Sequence, residues 1–294
     1  MPPEGGIRTR GRALNASQSN TADGNLFWFV VPALILMGLI FLVPLGYVFY
    51  YSLLVDGRFS TDGFVTLLTS GLFYRVFITT FEISFLSTAV SVFLGYAVAL
   101  HLSRLEPRRR IIYMGMVMLP FWTSILVKSY SFTLILGRRG IINSVLTYLF
   151  GDAARLELIY NRIGVVIGMT NYLIPFVVFP VLANLLAQDR NLRTAAEIMG
   201  ARPLRIFMSI TLPLSIPGIV AGALMCLVLS FGFFITPAIL GGRRDVMLSN
   251  LIDLYTRETL NWNLAAATGV SLLLITALLM AVLSRLPGTR NAFT

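Results

Sequence analysis

The chain of 294 residues holds one cysteine, Cys226, one histidine, His101, and one lysine, Lys128. A single cysteine can form neither an internal disulfide nor a CxxC pair, and a single histidine excludes an HExxH zinc site. A P-loop needs Gly-Lys followed by Ser or Thr, but Lys128 follows Val127, so there is no Walker A motif and any ATP hydrolysis must come from a partner. No nucleophile–base pair or metal cluster can be drawn, so no catalytic or metal-ligating residue is expected. Charge is scarce as well, at 12% of residues, against about 25% in an ordinary soluble domain. With 56% hydrophobic residues and a mean hydropathy of +0.80, the chain cannot cover itself with polar groups in water. Its apolar residues come in long runs, so the solvent over most of its length is lipid.

The net charge of +10 has a membrane explanation rather than a nucleic-acid one, because the basic residues cluster at the ends of apolar runs. Six segments are long enough to cross a hydrocarbon core about 30 Å thick. They are Leu26–Leu53, Val76–Leu102, Ile111–Leu136, Ile163–Leu186, Leu212–Leu240 and Leu264–Leu286. Pro32, Pro44, Pro120, Pro175, Pro180, Pro217 and Pro237 fall inside these runs and read as kinks, since neighbouring helices can satisfy the freed carbonyls. The expected organisation is a polar, disordered cytoplasmic tail (1–25), a six-span domain (26–286) and a short cytoplasmic C-terminal tail (287–294). The first apolar run is too long for a secretory h-region and should remain as a signal anchor.

Orientation follows from arginine. With both termini inside, the inner segments hold 13 basic residues, among them Arg8, Arg10, Arg12, Arg104, Arg108, Arg109, Arg110, Arg190, Arg193, Arg285 and Arg290, against 10 elsewhere. The short, densely basic turn Glu106–Arg110 fixes the assignment. The outer loops Asp56–Arg75, Gly137–Arg162 and Gly241–Asn263 carry amphipathic stretches, Ile141–Phe150 and Val246–Tyr255, that read as short helices over the outer mouth of a bundle.

The most informative segment is the loop 187–211, between the fourth and fifth spans. It reads Thr194-Ala-Ala-Glu-Ile-Met-Gly200, then nine residues, then Ile210-Thr-Leu212-Pro213. Ala196 and Gly200 lie four apart on one helical face, with Ala195 and Met199 beside them, and so few side-chain atoms let a backbone sit deep in another protein's cleft. Arg202 precedes Pro203 and is pushed out of the helical region, so a short helix should end near Gly200 and a new turn open at Pro203. Thr194-x-x-Glu197 is a capping-box pattern, which predicts that Thr194 caps the helix start. A competing reading lays this helix on the membrane surface, with Arg193, Arg202 and Arg205 near lipid phosphates.

The loop resembles the cytoplasmic signature of ABC-importer permeases: Glu-Ala-Ala, three residues, Gly, nine residues, Ile-x-Leu-Pro. Only Thr194, in place of Glu, departs from it. The resemblance implies an all-α polytopic membrane protein with six transmembrane helices, the type I importer permease (MetI-like) fold. It implies that Thr194, Ala195, Ala196, Glu197, Met199, Gly200, Arg202, Ile210, Leu212 and Pro213 couple the spans to an ABC ATPase dimer. ATP and Mg would then be bound by the ATPase subunits, with no cofactor in this chain. Further partners would be a second, non-identical permease that supplies the missing Glu, a substrate-binding protein, and membrane lipid in a bacterial inner membrane.

Pro120-Phe-Trp-Thr-Ser124 with Lys128, Tyr130 and the Gly140…Asn143 turn is similar to spermidine/putrescine importer permeases. So are Leu212–Gly218, Phe231–Pro237 and Leu240-Gly-Gly242. The same subfamily shades into permeases for amino-acid derivatives such as GABA and for ferric ion. A cationic solute favours carboxylates and aromatic faces along its route, and the candidates are Glu82, Trp122, Tyr130, Phe233, Asp253, Glu258 and Trp262. Glu82 is expected to pair with Arg75 or Lys128, and each aromatic also has a plain role as packing or interfacial anchor. Lys128 lies about 27 Å along a helix from Arg110 and should reach the outer interface. A secondary transporter would need intramembrane carboxylates or histidines for coupling, and the spans have almost none.

Overall fold

The computed structural model describes residues 10–55, 57–283 and 285, and side chains from residue 30 onward apart from that of Arg190. The chain divides between Tyr51 and Ser52 into two units. The first is helix α1, Arg10–Ser52, which carries Pro32 and Pro44 inside it. The helix runs back through polar residues to Arg10, inside the segment expected as a tail. Once an apolar helix has nucleated, each added residue costs little, and Arg, Ala and Gln propagate it well. Residues 1–9 and the predicted C-terminal tail 287–294, with Arg8 and Arg290, lie outside the described residues.

A two-residue antiparallel hairpin opens the second unit, Leu54–Val55 against Arg58–Phe59, followed by α2 (Asp62–Thr69) and the long α3 (Gly71–Arg104). The centre of this unit is α7, Arg162–Ala187, held between α3 and α10, Leu212–Phe231. Glycines make that close packing possible. A Cβ at Gly95 of α3 would stand 2.8 Å from Val177 Cβ, and one at Gly222 of α10 would stand 3.0 Å from Val177 Cα. Val177 is therefore gripped from both sides, among the buried Leu173, Val178, Val181 and Leu182. Small hydroxyl residues continue the seam on α3, where Thr80 and Ser91 donate back to the carbonyls of Val76 (2.8 Å) and Ser87 (2.6 Å). Satisfied in this way, they cost little among apolar neighbours and let helices approach closely.

Among the described residues five helices are long and apolar enough to cross a membrane, and a bent pair, taken as one span, brings the number to six. The bend corrects the third expected span. Helix α4 (Pro107–Trp122) stops at Thr123 and Ser124, both extended at ψ 137° and 131°, and α5 (Ile125–Leu136) starts in a new direction. Between Pro107–Trp122 and Ile125–Phe150 the axis turns by 93°. Pro120 removes a helical hydrogen bond just before the break. Helix α6 then occupies Ile141–Phe150, as the sequence predicted, and a 3₁₀ turn follows at Asp152–Ala154.

The fifth span also differs from Leu212–Leu240. It begins at Pro203 with α9 (Pro203–Ile206), passes a π turn at Phe207–Thr211 and ends at Phe231. The Leu212 N–H bonds to the Phe207 carbonyl, five residues back, so the wider turn absorbs the proline that follows. Past Gly232, α11 (Ile235–Leu240) is a separate short helix packed against α5.

Helix α12 (Leu248–Asp253), a π turn at Leu254–Glu258 and the start of α13 (Trp262–Leu283) gather with α2 around the first turns of α3. Their core holds Leu67, Phe73, Val76, Leu248, Leu251 and Tyr255, and the Leu248 N–H donates to Thr80 Oγ1 at 2.9 Å. Of the two stretches predicted as short helices, Val246–Tyr255 thus joins a packed cap, whereas α6 packs on α5. From Glu82 to Arg104, α3 is about 33 Å long at 1.5 Å per residue, one hydrocarbon thickness, so Gly71–Phe81 belongs to the cap.

Candidate functional site

Helix α8, Arg190–Ile198, carries the signature loop at the end of the bundle opposite the cap. Its N-cap is Asp189, whose carboxylate accepts from the Asn191 N–H at 2.9 Å. This corrects the capping role predicted for Thr194, which lies in the middle of the helix. Asp189 comes five residues earlier and is the stronger cap, since it is also charged at the positive end of the helix dipole. Glu197 turns to Arg193 instead, one helical turn back, at 2.9 Å.

The predicted end at Gly200 is where the helix stops. Gly200 has φ +77°, its N–H bonds to the Glu197 carbonyl, and the Ala201 N–H bonds to the Ala196 carbonyl, both at 3.0 Å. This is a Schellman motif, and glycine enters the left-handed conformation without steric cost. Arg202 is extended at ψ 148°, and Pro203 opens α9 in its first turn. The helix is presented rather than packed. Ala195 is exposed, Ala196 half-buried, and Ile198 and Met199 are 82% and 86% exposed, forming an uncovered apolar end.

Behind α8 lies a cavity of about 720 Å³. Its walls include Arg104, Glu106 and Arg110 from the α3–α4 turn, Asp189, Arg193, Thr194 and Glu197 from the α8 cap and helix, Ile210 and Thr211 of the π turn, and Leu214 after it. The position that departs from the signature, Thr194, therefore faces a space inside this chain. Arg110 locks the turn by donating to the carbonyls of Leu102 (3.1 Å), Ser103 (3.4 Å) and Leu105 (2.7 Å) at the C-terminal end of α3. Gln188 donates to the Thr211 carbonyl at 3.4 Å, tying the root of α8 to the π turn near Leu212 and Pro213. Asp189, Gln188 and Arg110 are parts of this site beyond those expected from the sequence. The Asp189-x-Asn191 pairing was the one local signal available.

At the cap end the candidate route residues separate. Glu82 pairs with Arg162, not with Arg75 or Lys128, and Arg162 also reaches Asp245 at 3.5 Å. Arg162 opens α7, where a helix N-terminus disfavours a cation, and the two carboxylates offset this. Asp253 is bound to Arg257 at 2.7 Å, while Glu258, Trp262, Tyr130 and Trp122 are exposed at separate places. Trp122 and Phe233 are brought together indirectly through a chain of rings. Trp122 meets Phe121 (6.3 Å), Phe121 meets Tyr172 (6.2 Å) and Phe176 (5.8 Å), and Tyr172 meets the buried Phe233 (5.1 Å).

Lys128 joins this group. Its ammonium donates to the Pro120 carbonyl at 2.7 Å and lies 4.9 Å from the Tyr172 ring centre. The predicted reach of Lys128 to the outer interface is corrected, because the bend after Trp122 stops its climb and turns the side chain back. Among the described residues no three His, Cys, Asp or Glu side chains converge as metal ligands would.

Residues 91–287 match the family described as the inner membrane component of binding-protein-dependent transport systems. The spermidine/putrescine transport system permease protein PotB of Haemophilus influenzae is 29% identical over 260 residues, covering 88% of this chain and 89% of that protein. The inner membrane ABC transporter permease protein YdcU of Escherichia coli is 28% identical, covering 93% of this chain and 98% of that protein. A chain in the crystal structure of a bacterial alginate ABC transporter, bound to its periplasmic protein, superposes with a TM-score of 0.78 at 20% identity over 94% of this chain and 98% of that one. Helix α8 and the broken third span lie within the matched residues, and the match decides the class: this chain belongs to the inner-membrane permease subunits of binding-protein-dependent ABC importers.

Proposed function

We propose that this permease carries a linear polyamine of the spermidine/putrescine kind, handed over by a binding protein. The observation that carries this reading is the match to PotB along nearly the whole of both chains. The aromatic chain Phe121–Tyr172–Phe233 supports it, since ring faces attract ammonium groups without holding them as tightly as carboxylates do.

In this reading α8 faces the cytoplasm with both chain termini, and the cap faces the binding protein. An ATPase dimer grips α8 and its counterpart on a second, non-identical permease, while ATP and Mg stay on the ATPase subunits. Closure of the ATPases pulls on Ile198, Met199 and the small face of Ala195 and Ala196. The pull passes through the Gly200 turn, Arg202 and Pro203 into the π turn and α10, and Gln188 carries it to α7. The spans then alternate between the two sides. The small face and apolar end of α8 suit a protein cleft, and its exposed position at the end of a bent arm suits a lever.

The test is uptake in proteoliposomes holding this chain, its partner permease, the ATPase and the binding protein. ATP-dependent entry of labelled putrescine or spermidine is expected, with ATPase activity stimulated by the loaded binding protein. Stimulation by another solute, with none by any polyamine, would sink the cargo assignment and leave the importer assignment standing.

A further inference from the structure

The surroundings of Lys128 have the chemistry of an ammonium receptor. A carbonyl oxygen accepts from its Nζ at 2.7 Å, and an aromatic face lies at 4.9 Å. The carbonyl is available because Pro120 lies in the last turn of α4, whose carbonyls have no following turn to bond. The ring belongs to Tyr172, ten residues into α7, so the group lies about 15 Å from the Arg162 end of that helix and about 22 Å from Ala187. That is well inside the membrane-spanning depth. A cation fixed there is ordinarily paired with a carboxylate, yet among the described residues Lys128 makes no ion pair. Its two partners are both neutral, and a lysine's four-carbon stem is intrinsically flexible.

We propose that the Pro120 carbonyl and the Tyr172 face form an amine subsite on the cargo's route, filled in this conformation by the protein's own Lys128. A primary ammonium of the cargo takes the same two contacts when Lys128 swings away, and Phe121, Phe176 and Phe233 give the rest of a linear chain a run of ring faces to follow. Lys128 is then a tethered competitor. It keeps the subsite from holding cargo tightly and returns once the cargo has moved on. This subsite rests on the cationic-cargo reading above.

The experiment uses the assembled transporter in nanodiscs without its binding protein and measures equilibrium binding of labelled putrescine and of n-butylammonium. Lys128→Met is expected to bind both amines at least tenfold more tightly than the parent chain, and adding Tyr172→Leu is expected to remove the gain. Lys128→Gln keeps a donor for Pro120 without the charge. It should gain at least threefold, which covers the case in which the Met variant fails to assemble. If the parent transports putrescine but no Lys128 variant gains affinity for either amine, the subsite is wrong and the cargo reading survives. If polyamines are neither moved nor bound while Lys128→Met gains n-butylammonium, the subsite stands and the cargo reading falls. A gain that persists without the Tyr172 ring would overturn the assignment to that face.

Discussion

Replacing Gly200 by alanine isolates the conformational part of coupling from any packing effect. A Cβ at this position meets nothing within 4 Å, so a methyl group fits without a clash. The whole cost comes from φ +77°, where an L-residue is about 1–2 kcal/mol worse off than glycine. Helix α8 has nine residues, too few to hold themselves together in water. It depends on the Asp189 cap at one end and the Schellman turn at the other. A loss of about 1–2 kcal/mol therefore falls on the fraction of α8 that is correctly ended and aimed, a factor of about 5–30. ATP-driven uptake by the reconstituted transporter should fall by up to that factor. Thermal unfolding of the permease should barely move, because the core around Val177 is untouched. Asparagine tolerates the left-handed region, so Gly200→Asn should stay within about threefold of the parent. Equal activity of the alanine and asparagine variants would refute the reasoning, since with open space at this position the difference expected between them is tolerance of that φ. A large drop in unfolding temperature would refute it too.

Four further substitutions probe other parts of the frame. Gly95→Leu drives a side chain into Val177 and should cost about 1–3 kcal/mol or more, read as a lower unfolding temperature in detergent with α7 loosened. Arg110→Met removes three bonds to the carbonyls ending α3; faster hydrogen exchange around Leu102–Leu105, with the cap unchanged, is the expected result. Glu82→Gln and Asp245→Asn compare two partners of Arg162. The Glu82 pair is half exposed and screened, worth less than about 1 kcal/mol, whereas the Asp245 side chain is only 9% exposed and also accepts the Gly242 N–H. Asp245→Asn should therefore lower the unfolding temperature more, and the reverse order would show that burial does not set the hierarchy.

Features written in local pattern were legible in the sequence. Ile141–Phe150 forms a helix with those bounds, and the stop at Gly200 follows from glycine, Arg202 and Pro203 acting over a few residues. The long spans needed only their apolar runs. What depended on choosing between local signals came out less well. Thr194-x-x-Glu197 fits a capping box, but Asp189 starts the helix earlier and Arg193 claims the glutamate. Pro120 looks like Pro32, Pro44, Pro175 and Pro180, all of which remain inside helices. At Pro120 the chain breaks soon afterwards, because Thr123 and Ser124 go extended and α5 finds a seat against α7 and α11, a tertiary choice. The partner of Glu82 lies 80 residues away, and no local rule points to it.

The long α3 sets a height. Its first eleven residues, Gly71–Phe81, rise about 16 Å beyond the hydrocarbon boundary marked by Glu82 and Arg162. A headgroup layer is roughly 5–8 Å deep, so the post clears it by about 8–11 Å. The core of Leu67, Phe73, Leu248 and Leu251 keeps the post braced. A soluble protein seated on the cap would ride above the lipid surface at a fixed level. Its own surface would not have to tolerate headgroups, and sideways drift along the bilayer would cost it contact with a braced pillar.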